Sequence, residues 1–338
     1  MRVALDAMGG DLAPREQVLG ALLAAKEFGI EVALVGPPDV IEPELAKHPK
    51  SSRVSVVAAG DAITMDEGEI VKAVRTRRDA SINVATQMVK KGEASAVVSA
   101  GNSGAVSASA FFLLGRISGV ERPALGMLLP YNAGRVFLID AGANPNCRAS
   151  HLLQFAQMGS AYVERVVGIK QPRIGLLNIG EEEGKGNDLA VEAYDRLKDS
   201  GLNFVGNVEG VNIHKAVCDV IVTDGFTGNV ALKAGEGVAD YILEQVRSVI
   251  KSSPLFIGAA ILLKPALRRA LNRLKYEEYG GAYLMGIDGV VVIAHGRSDA
   301  LAIKNALRLA HSAAGTDLLE TMRASFVESK EESTAGGR

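Results

Sequence analysis

The sequence predicts an α/β fold built on a largely parallel sheet, and three observations carry that prediction. Short β-branched runs alternate with longer stretches of helical periodicity, as a parallel sheet requires because each crossover must carry the chain back. The strand-like runs end in polar or glycine-rich turns. Of the 338 residues, 48% are hydrophobic and 22% charged, the balance of a globular chain that can bury a sizeable core.

Strands are predicted at Arg2–Ala7, Glu31–Gly36, Arg53–Ala58, Ser95–Ala100, Leu125–Pro130, Val136–Ala141, Arg173–Ile179, Asn203–Val208, Asp219–Thr223 and Val290–Ala294, with helices filling the gaps. The turns at their ends include DAMGGD, SAGNSGA, DAGANPNC, NIGEEEGKGND, TDGFTGN and AHGRSD. Ligands of open α/β sheets bind at the carboxyl ends of strands, so these turns are the first candidates for chemistry, although any one of them also serves plain turn geometry. The chain reads as one large α/β unit over residues 1–328, with an amphipathic helical segment at 252–278. The polar, glycine-rich tail at 329–338 is expected to be disordered.

Composition excludes several classes of function. Lys+Arg 37 against Asp+Glu 39 gives a net charge of -2, which offers no global attraction to nucleic acid or to an anionic membrane, so a charged partner must be met by a local patch. Two cysteines, Cys147 and Cys218, cannot build a disulfide scaffold or a structural zinc site; they read as packed residues, one beginning a helix and one heading a strand. The opening MRVALDAMGG is strand-like rather than the apolar stretch of a signal peptide, and a cytosolic chain is expected. Pro254 to Leu263 is the longest uncharged hydrophobic run, well short of the roughly 20 residues that span a bilayer, and Pro265 is expected to break the helical stretch after it.

The motifs narrow the chemistry further. GEEEGKGN, from Gly180 to Asn187, is one residue short of a phosphate-binding P-loop and has Gly186 after its lysine, so an ATPase is rejected. Lys185 between two glycines can still reach an anion, or can belong to a mobile surface loop. The dinucleotide fingerprint G-x-G-x-x-G is missing after the first strand, where LDAMGGD stands, which disfavours a nicotinamide enzyme. Five scattered histidines give little support to a metal centre, and no cofactor is expected. His295 alone of them sits at a predicted strand end, as a turn residue or a base. With no G-x-S-x-G elbow and no histidine partner for either cysteine, a covalent acyl-enzyme is not suggested. Asn102, Ser103 and Gly104 precede an apolar helix, which makes either an anion site or an ordinary N-cap.

Between Leu255 and Lys275, Leu263, Leu267, Leu271 and Leu274 recur at helical spacing, with Lys264, Arg268, Arg269, Arg273 and Lys275 over the rest. This basic amphipathic pattern suits a membrane surface or an acidic partner, or else a dimerisation or core-facing helix with a solvated basic face.

In this order and spacing, ALDAMGGD, VSAGNSGA, LIDAGANPNC, LLNIGEEEGKGND, CDVIVTDGFTGNVALK and DGVVVIAHGRSD resemble the bacterial phosphate acyltransferase (PlsX) family of phospholipid synthesis, from Met1 to about Phe326. Two departures are EGVNIH (Glu209 to His214), where the family usually has an Arg-Asp pair after the glycine, and Tyr283 in GGAYLMG, where a proline often stands. The resemblance implies a homodimer with a three-layer α/β/α fold, similar to phosphate acetyltransferases and isocitrate dehydrogenase-type subunits. It implies transfer of a fatty acyl group from acyl-acyl-carrier protein to inorganic phosphate. It also implies peripheral association with the inner face of the cell membrane, and an acyl phosphate product consumed by a membrane glycerol-3-phosphate acyltransferase.

Phosphate is already a competent nucleophile at neutral pH, so such an enzyme must supply position and charge rather than a nucleophile. On this reading Asn102, Ser103 and Gly104 bind phosphate, Lys185 neutralises developing charge, and Asn144 and Asn229 donate to carbonyl or phosphate oxygens. Asp6, Gly9, Gly10 and Asp224 are assigned with them to the phosphate or substrate site, where Asp6, Asp11 and Asp224 orient lysines or backbone turns. His295 is the candidate to protonate the leaving thiolate. Competing readings are an acetyl-CoA:phosphate acetyltransferase, a nicotinamide dehydrogenase of related fold, and a non-catalytic membrane scaffold that binds acyl carrier protein.

Overall fold

Four helices are capped by the side chain of an Asn or Asp that the turn sequence supplies just ahead of them. Asn102, Asn187, Asp224 and Asp299 each accept the first free backbone N–H groups of the adjoining helix. The structure is a computed structural model that describes residues 1–64, 66–131, 134–272 and 280–335. Its elements run β1 (Arg2–Asp6), α1 (Arg15–Phe28), β2 (Glu31–Gly36), α2 (Pro38–Leu45), β3 (Val54–Ala58), α3 (Ile70–Thr76), α4 (Ser81–Lys90), β4 (Ala96–Ser99) and α5 (Ser103–Leu113). Next come β5 (Ala124–Tyr131), β6 (Gly134–Ile139), α6 (Ala149–Tyr162), β7 (Ile174–Asn178), α7 (Asp188–Lys198), β8 (Phe204–Glu209) and β9 (Val220–Val222). The remainder is α8 (Gly225–Lys251), α9 (Pro254–Asn272), β10 (Ala282–Met285), β11 (Val290–Ile293), α10 (Ala300–Ala314) and α11 (Leu318–Ala335).

All these strands join one sheet in the order β3-β2-β1-β4-β11-β10-β5-β6-β9-β7-β8. Each predicted strand is present, with ends shifted by a residue or two. The strand that the sequence does not predict is β10, four residues directly after Gly280 and Gly281 with no alternating pattern of their own. That strand changes the architecture, because β10 is antiparallel to both β11 and β5, and β5 is antiparallel to β6. The sheet is therefore two parallel halves, β3-β2-β1-β4-β11 and β6-β9-β7-β8, running in opposite directions, with β10 and β5 alternating in direction between them. Helical crossovers join the parallel strands, whereas the tight β5–β6 and β10–β11 connections permit the antiparallel pairs.

One row of paired residues crosses the whole sheet: Val56, Leu34, Leu5, Val98, Val292, Tyr283, Gly126, Ile139, Val222, Leu176 and Asn207. In most of the parallel strands of both halves this row lies one or two residues from the carboxyl end. The halves are thus staggered, so that their carboxyl ends approach one another at the centre despite opposite directions.

Side-chain alternation gives each face its own helical layer. Leu5, Val98, Val292 and Ile139 pack with α1, α6, α10 and α11 on one face. Ala4, Val97, Val291 and Ile293 pack with α3, α4 and α5 on the other, where Leu138 and Ile221 meet Leu232 of α8. This is the three-layer α/β/α arrangement. At the centre the Phe137 ring lies over Gly126 and stacks on Tyr162 at 4.3 Å.

Cys218 stands two residues before β9 and Cys147 two before α6, so neither opens its element as expected. Burial pushes the Cys147 thiol up to about 11 and the Cys218 thiol up to about 12, so both stay protonated at neutral pH. Past its first turns α8 exposes Val238, Tyr241 and Val249, and α9 exposes Leu255 (76%) and Leu262 (84%). No helix among the described residues is long and apolar enough to cross a membrane. Contrary to expectation, α9 continues through Pro265. Proline removes the bond to the carbonyl four residues back, that of Ile261, which lies on an exposed stretch where water can replace it. α11 reaches Ala335, so residues 329–335 are helical rather than disordered, and 336–338 lie outside the described residues.

A Cβ at Gly126 would overlap the Phe137 ring. Gly126→Ala should lower stability by about 1–3 kcal/mol through overpacking, read as a reduced urea midpoint at constant m-value. An unchanged midpoint would show that the central row has slack.

Candidate functional site

The strand reversal sorts the expected site turns into two groups. After β1, β4 and β11, the turns are tied to one another by a buried carboxylate. Asp6 accepts from Ser99 Oγ at 2.7 Å and from the Met8 N–H at 3.2 Å, and Ser99 Oγ in turn accepts from the Gly101 N–H at 3.0 Å. Burial pushes Asp6 above its ordinary value, against those hydrogen bonds. Gly9 lies so close that a Cβ would stand 2.6 Å from Asp6 Oδ2 and 2.7 Å from the Gly101 nitrogen. Gly10 sits at φ +111°, and the Asp11 N–H donates to the Gly296 carbonyl at 2.8 Å. Asp6, Gly9 and Gly10 therefore hold loops together and do not line the central cleft.

Asn102 caps its own helix: its Oδ1 accepts from the N–H groups of Gly104 at 2.9 Å and Ala105 at 3.1 Å. The helix start thus carries an internal acceptor where an anion would sit, which favours the N-cap reading, while Ser103 and Gly104 remain exposed beside it.

The turns after β6, β9 and β7 have their own anchor. Asp140, fully buried, accepts five hydrogen bonds: from the backbone N–H groups of Leu125, Gly142, Ala143 and Asn144, and from Asn144 Nδ2. Asn144 spends its second amide hydrogen on the Pro123 carbonyl at 2.7 Å, so its carboxamide has no donor left for a substrate. Asp224 accepts from Phe226, Thr227 and the Thr227 hydroxyl, acting as the cap of α8. Lys185 lies exposed on the β7–α7 loop, where its carbonyl accepts from Asn178 Nδ2 at 2.9 Å. That loop borders a cleft of about 620 Å³ with Asn187, Asp224 and Thr227.

The central cleft, of about 170 Å³, gathers residues from both groups. Its floor is Leu125, Met127, Ala282, Ile293 and Ala294, and Ala141 joins them from the end of β6. Along one wall runs α8, with Asn229, Leu232, Lys233 and Glu236; Ser103, His295 and Ser298 close the rim. The 27 residues of α8 span about 40 Å, starting at Asp224 in the second loop group and passing His295 in the first. Of the expected site residues, the cleft unites Ser103, Asn229 and His295, and it excludes Lys185, Asn144, Asp224 and Asn102. Its cation is Lys233, one helical turn after Asn229 and 2.7 Å from Glu236. Lys233 closes the stretch GFTGNVALK, so helical spacing from Asn229 is the sequence signal that points to it.

Partial burial lowers the His295 imidazole below its ordinary value; Lys233 and Arg297 reinforce this, while Glu236 and Asp11 oppose it. The ring is therefore neutral at pH 7. Because Nδ1 accepts from the Arg297 N–H at 3.2 Å, the neutral ring carries its proton on Nε2.

In the basic segment, Leu263 is exposed on α9, and Lys264, Leu267, Arg268, Arg269 and Leu271 fall on its helical backbone. Arg273 lies outside the described residues.

Residues 1–321 match the family described as "Fatty acid synthesis protein". A phosphate acyltransferase of Heliobacterium modesticaldum is 52% identical over 92% of this chain and 93% of its own. One from Pelotomaculum thermopropionicum is 48% identical over 100% and 98%. Among solved structures, the EutD phosphotransacetylase of Staphylococcus aureus superposes with a TM-score of 0.60 at 15% identity, covering 93% of this chain and 94% of that one. At that identity the likeness is one of fold.

Asp140 is the anchor on which the second loop group depends. Asp140→Asn would turn an amide towards backbone donors, and it should cost about 2–3 kcal/mol in chemical denaturation. A loss below about 1 kcal/mol would mean that these loops hold their shape without it.

Proposed function

The chain belongs to the fatty acid synthesis protein family, and from that membership we infer that it is a phosphate acyltransferase, transferring a fatty acyl group from acyl-acyl-carrier protein to inorganic phosphate for phospholipid synthesis. The observation that supports this most directly is the central cleft, an apolar floor beneath a polar rim that holds a lysine paired with a glutamate, together with neutral donors. An acyl chain suits the floor and a phosphate the rim.

A phosphate oxygen attacks the thioester carbonyl carbon; the C–O bond forms, the C–S bond breaks, and the carrier thiolate leaves. Lys233 faces the phosphate dianion, with Glu236 orienting its ammonium. Asn229, whose carboxamide has no intramolecular partner among the described residues, donates to the tetrahedral oxyanion together with the Ser103 hydroxyl. His295 acts as a neutral Nε2–H donor to the substrate rather than as the acid that protonates the leaving thiolate. A free thiol ionises near pH 8.5, so the leaving thiolate can depart first and take its proton from water. Lys185 lines neither cleft, so it reaches the reaction only through movement of its loop.

The working unit is proposed to be a homodimer that docks peripherally on the inner face of the cell membrane. The apolar side chains exposed along α8 and α9 support a covered or membrane-facing surface. Acyl phosphate would pass from there to a membrane glycerol-3-phosphate acyltransferase.

Purified protein should release free thiol from palmitoyl-carrier protein only when phosphate is present, with an acyl phosphate signal in phosphorus NMR. Phosphate-independent release, or none with carrier binding intact, would refute the activity. Lys233→Ala should reduce kcat/KM by about 100-fold and Lys185→Ala by much less, and the reverse ranking would move the reaction to the second cleft. For His295 the sign is set by its lowered value: the active neutral form is lost only as pH falls below the range in which an ordinary histidine titrates. His295→Gln should keep part of the activity and lose that acid limb, whereas an unchanged limb would assign it to another group.

Reversing charge at Arg268 and Arg269 should weaken sedimentation with anionic vesicles. Unchanged sedimentation and unchanged carrier affinity would make the segment a packing element.

A further inference from the structure

A groove of about 620 Å³ lies between α3, α4 and α5, sharing no lining residue with the central cleft. Val74, Val84, Met88 and Leu113 give it an apolar wall. Three cations, Arg75, Arg78 and Lys91, stand along it against one carboxylate, Glu93. The Arg75 guanidinium lies 4.4 Å from the centre of the Phe112 ring, which fixes the fork in place and leaves its edge for an oxyanion.

Asn83 supplies an independent observation. It lines the groove at 4% exposure, and its Nδ2 donates to the carbonyls of Val74 and Arg77, both at 2.8 Å. Those two acceptors fix the orientation of the amide, since a flip would set oxygen against oxygen. Oδ1 is left buried with no hydrogen-bond donor. An amide oxygen desolvated without a partner is destabilising, and a ligand hydroxyl or amide N–H would offset that cost.

Two arginines, an apolar wall and an unsatisfied acceptor in the lining define the occupant: an anion that forks with arginine, carries an apolar chain, and has a donor between the two. We propose that the groove between α3, α4 and α5 is a second ligand site, separate from the acyl-transfer cleft, for an amphiphilic phosphomonoester with a free hydroxyl beside its phosphate. Monoacyl glycerol phosphates have this chemistry, and a cavity of this size holds such a headgroup with the first part of its chain.

The test is calorimetric titration of the full chain with monodecanoyl glycerol phosphate below its micelle concentration. The full chain should bind it, and the analogue lacking the free hydroxyl, glycerol phosphate and decanoate should each bind at least tenfold more weakly. A folded Arg75→Ala/Arg78→Ala variant should lose at least tenfold in affinity, and so should Val84→Trp, which fills the groove without touching charge. Lys233→Ala, altered in the acyl-transfer cleft, should bind as the parent does. Parent-like affinity in both groove variants, loss of binding in Lys233→Ala, or equal binding of decanoate would each overturn the proposal, whether or not the chain transfers acyl groups.

Discussion

The reversal of strand direction at β10 and β5 is the constraint on which the rest of the structure depends. A uniformly parallel sheet would put every functional turn along one edge. Here the antiparallel pair turns one half of the sheet over, and the register of the central row keeps the carboxyl ends of both halves close to a common line. Ala294 from one half and Ala141 from the other can therefore line one cleft. Gly126 lets the Phe137 ring close over this row, so the reversal is also a packing centre.

Each half then solves the same problem of holding irregular backbone at a sheet edge. Asp6 and Asp140 are the solutions, both buried and both filled with hydrogen bonds from neighbouring turns. Burying a carboxylate is costly unless its oxygens are satisfied, and backbone N–H groups satisfy them while being fixed in return. The loops are rigid for that reason, and the side chains that rigidify them are unavailable to a substrate. Chemistry passes to the less encumbered groups along the wall and rim: Asn229, Lys233, Ser103 and His295.

Helix α8 connects these levels. Its first turn is capped by Asp224 and buried at Gly225, which a Cβ would bring within 2.6 Å of the Asn144 nitrogen. Its second and third turns form the cleft wall, and its remaining length leaves the body with apolar residues exposed. One helix thus joins the anchored loops, the proposed reaction centre and the surface proposed to meet the membrane.

Much of this is legible in the sequence because it is local. β-Branched runs mark the strands to within a residue or two, and Asn or Asp marks the starts of α5, α7, α8 and α10. The order of the turn motifs points to the family and its chemistry, and Asn229, Ser103 and His295 are readable from those turns. Tertiary structure alone decided strand direction, since the four residues of β10 acquire their role from the partners β11 and β5 rather than from any pattern of their own. It alone decided which polar side chains are spent: Asn144 and Asn229 look alike as loop residues, yet Asp140 and Pro123 consume one while nothing described in the fold claims the other. The choice of cation was decided the same way. Lys185 is conspicuous between glycines, and helical spacing from Asn229 singles out Lys233, but only α8 laid across the sheet sets Lys233 at the cleft and leaves Lys185 outside it, because proximity to a cleft is a property of residues distant in sequence.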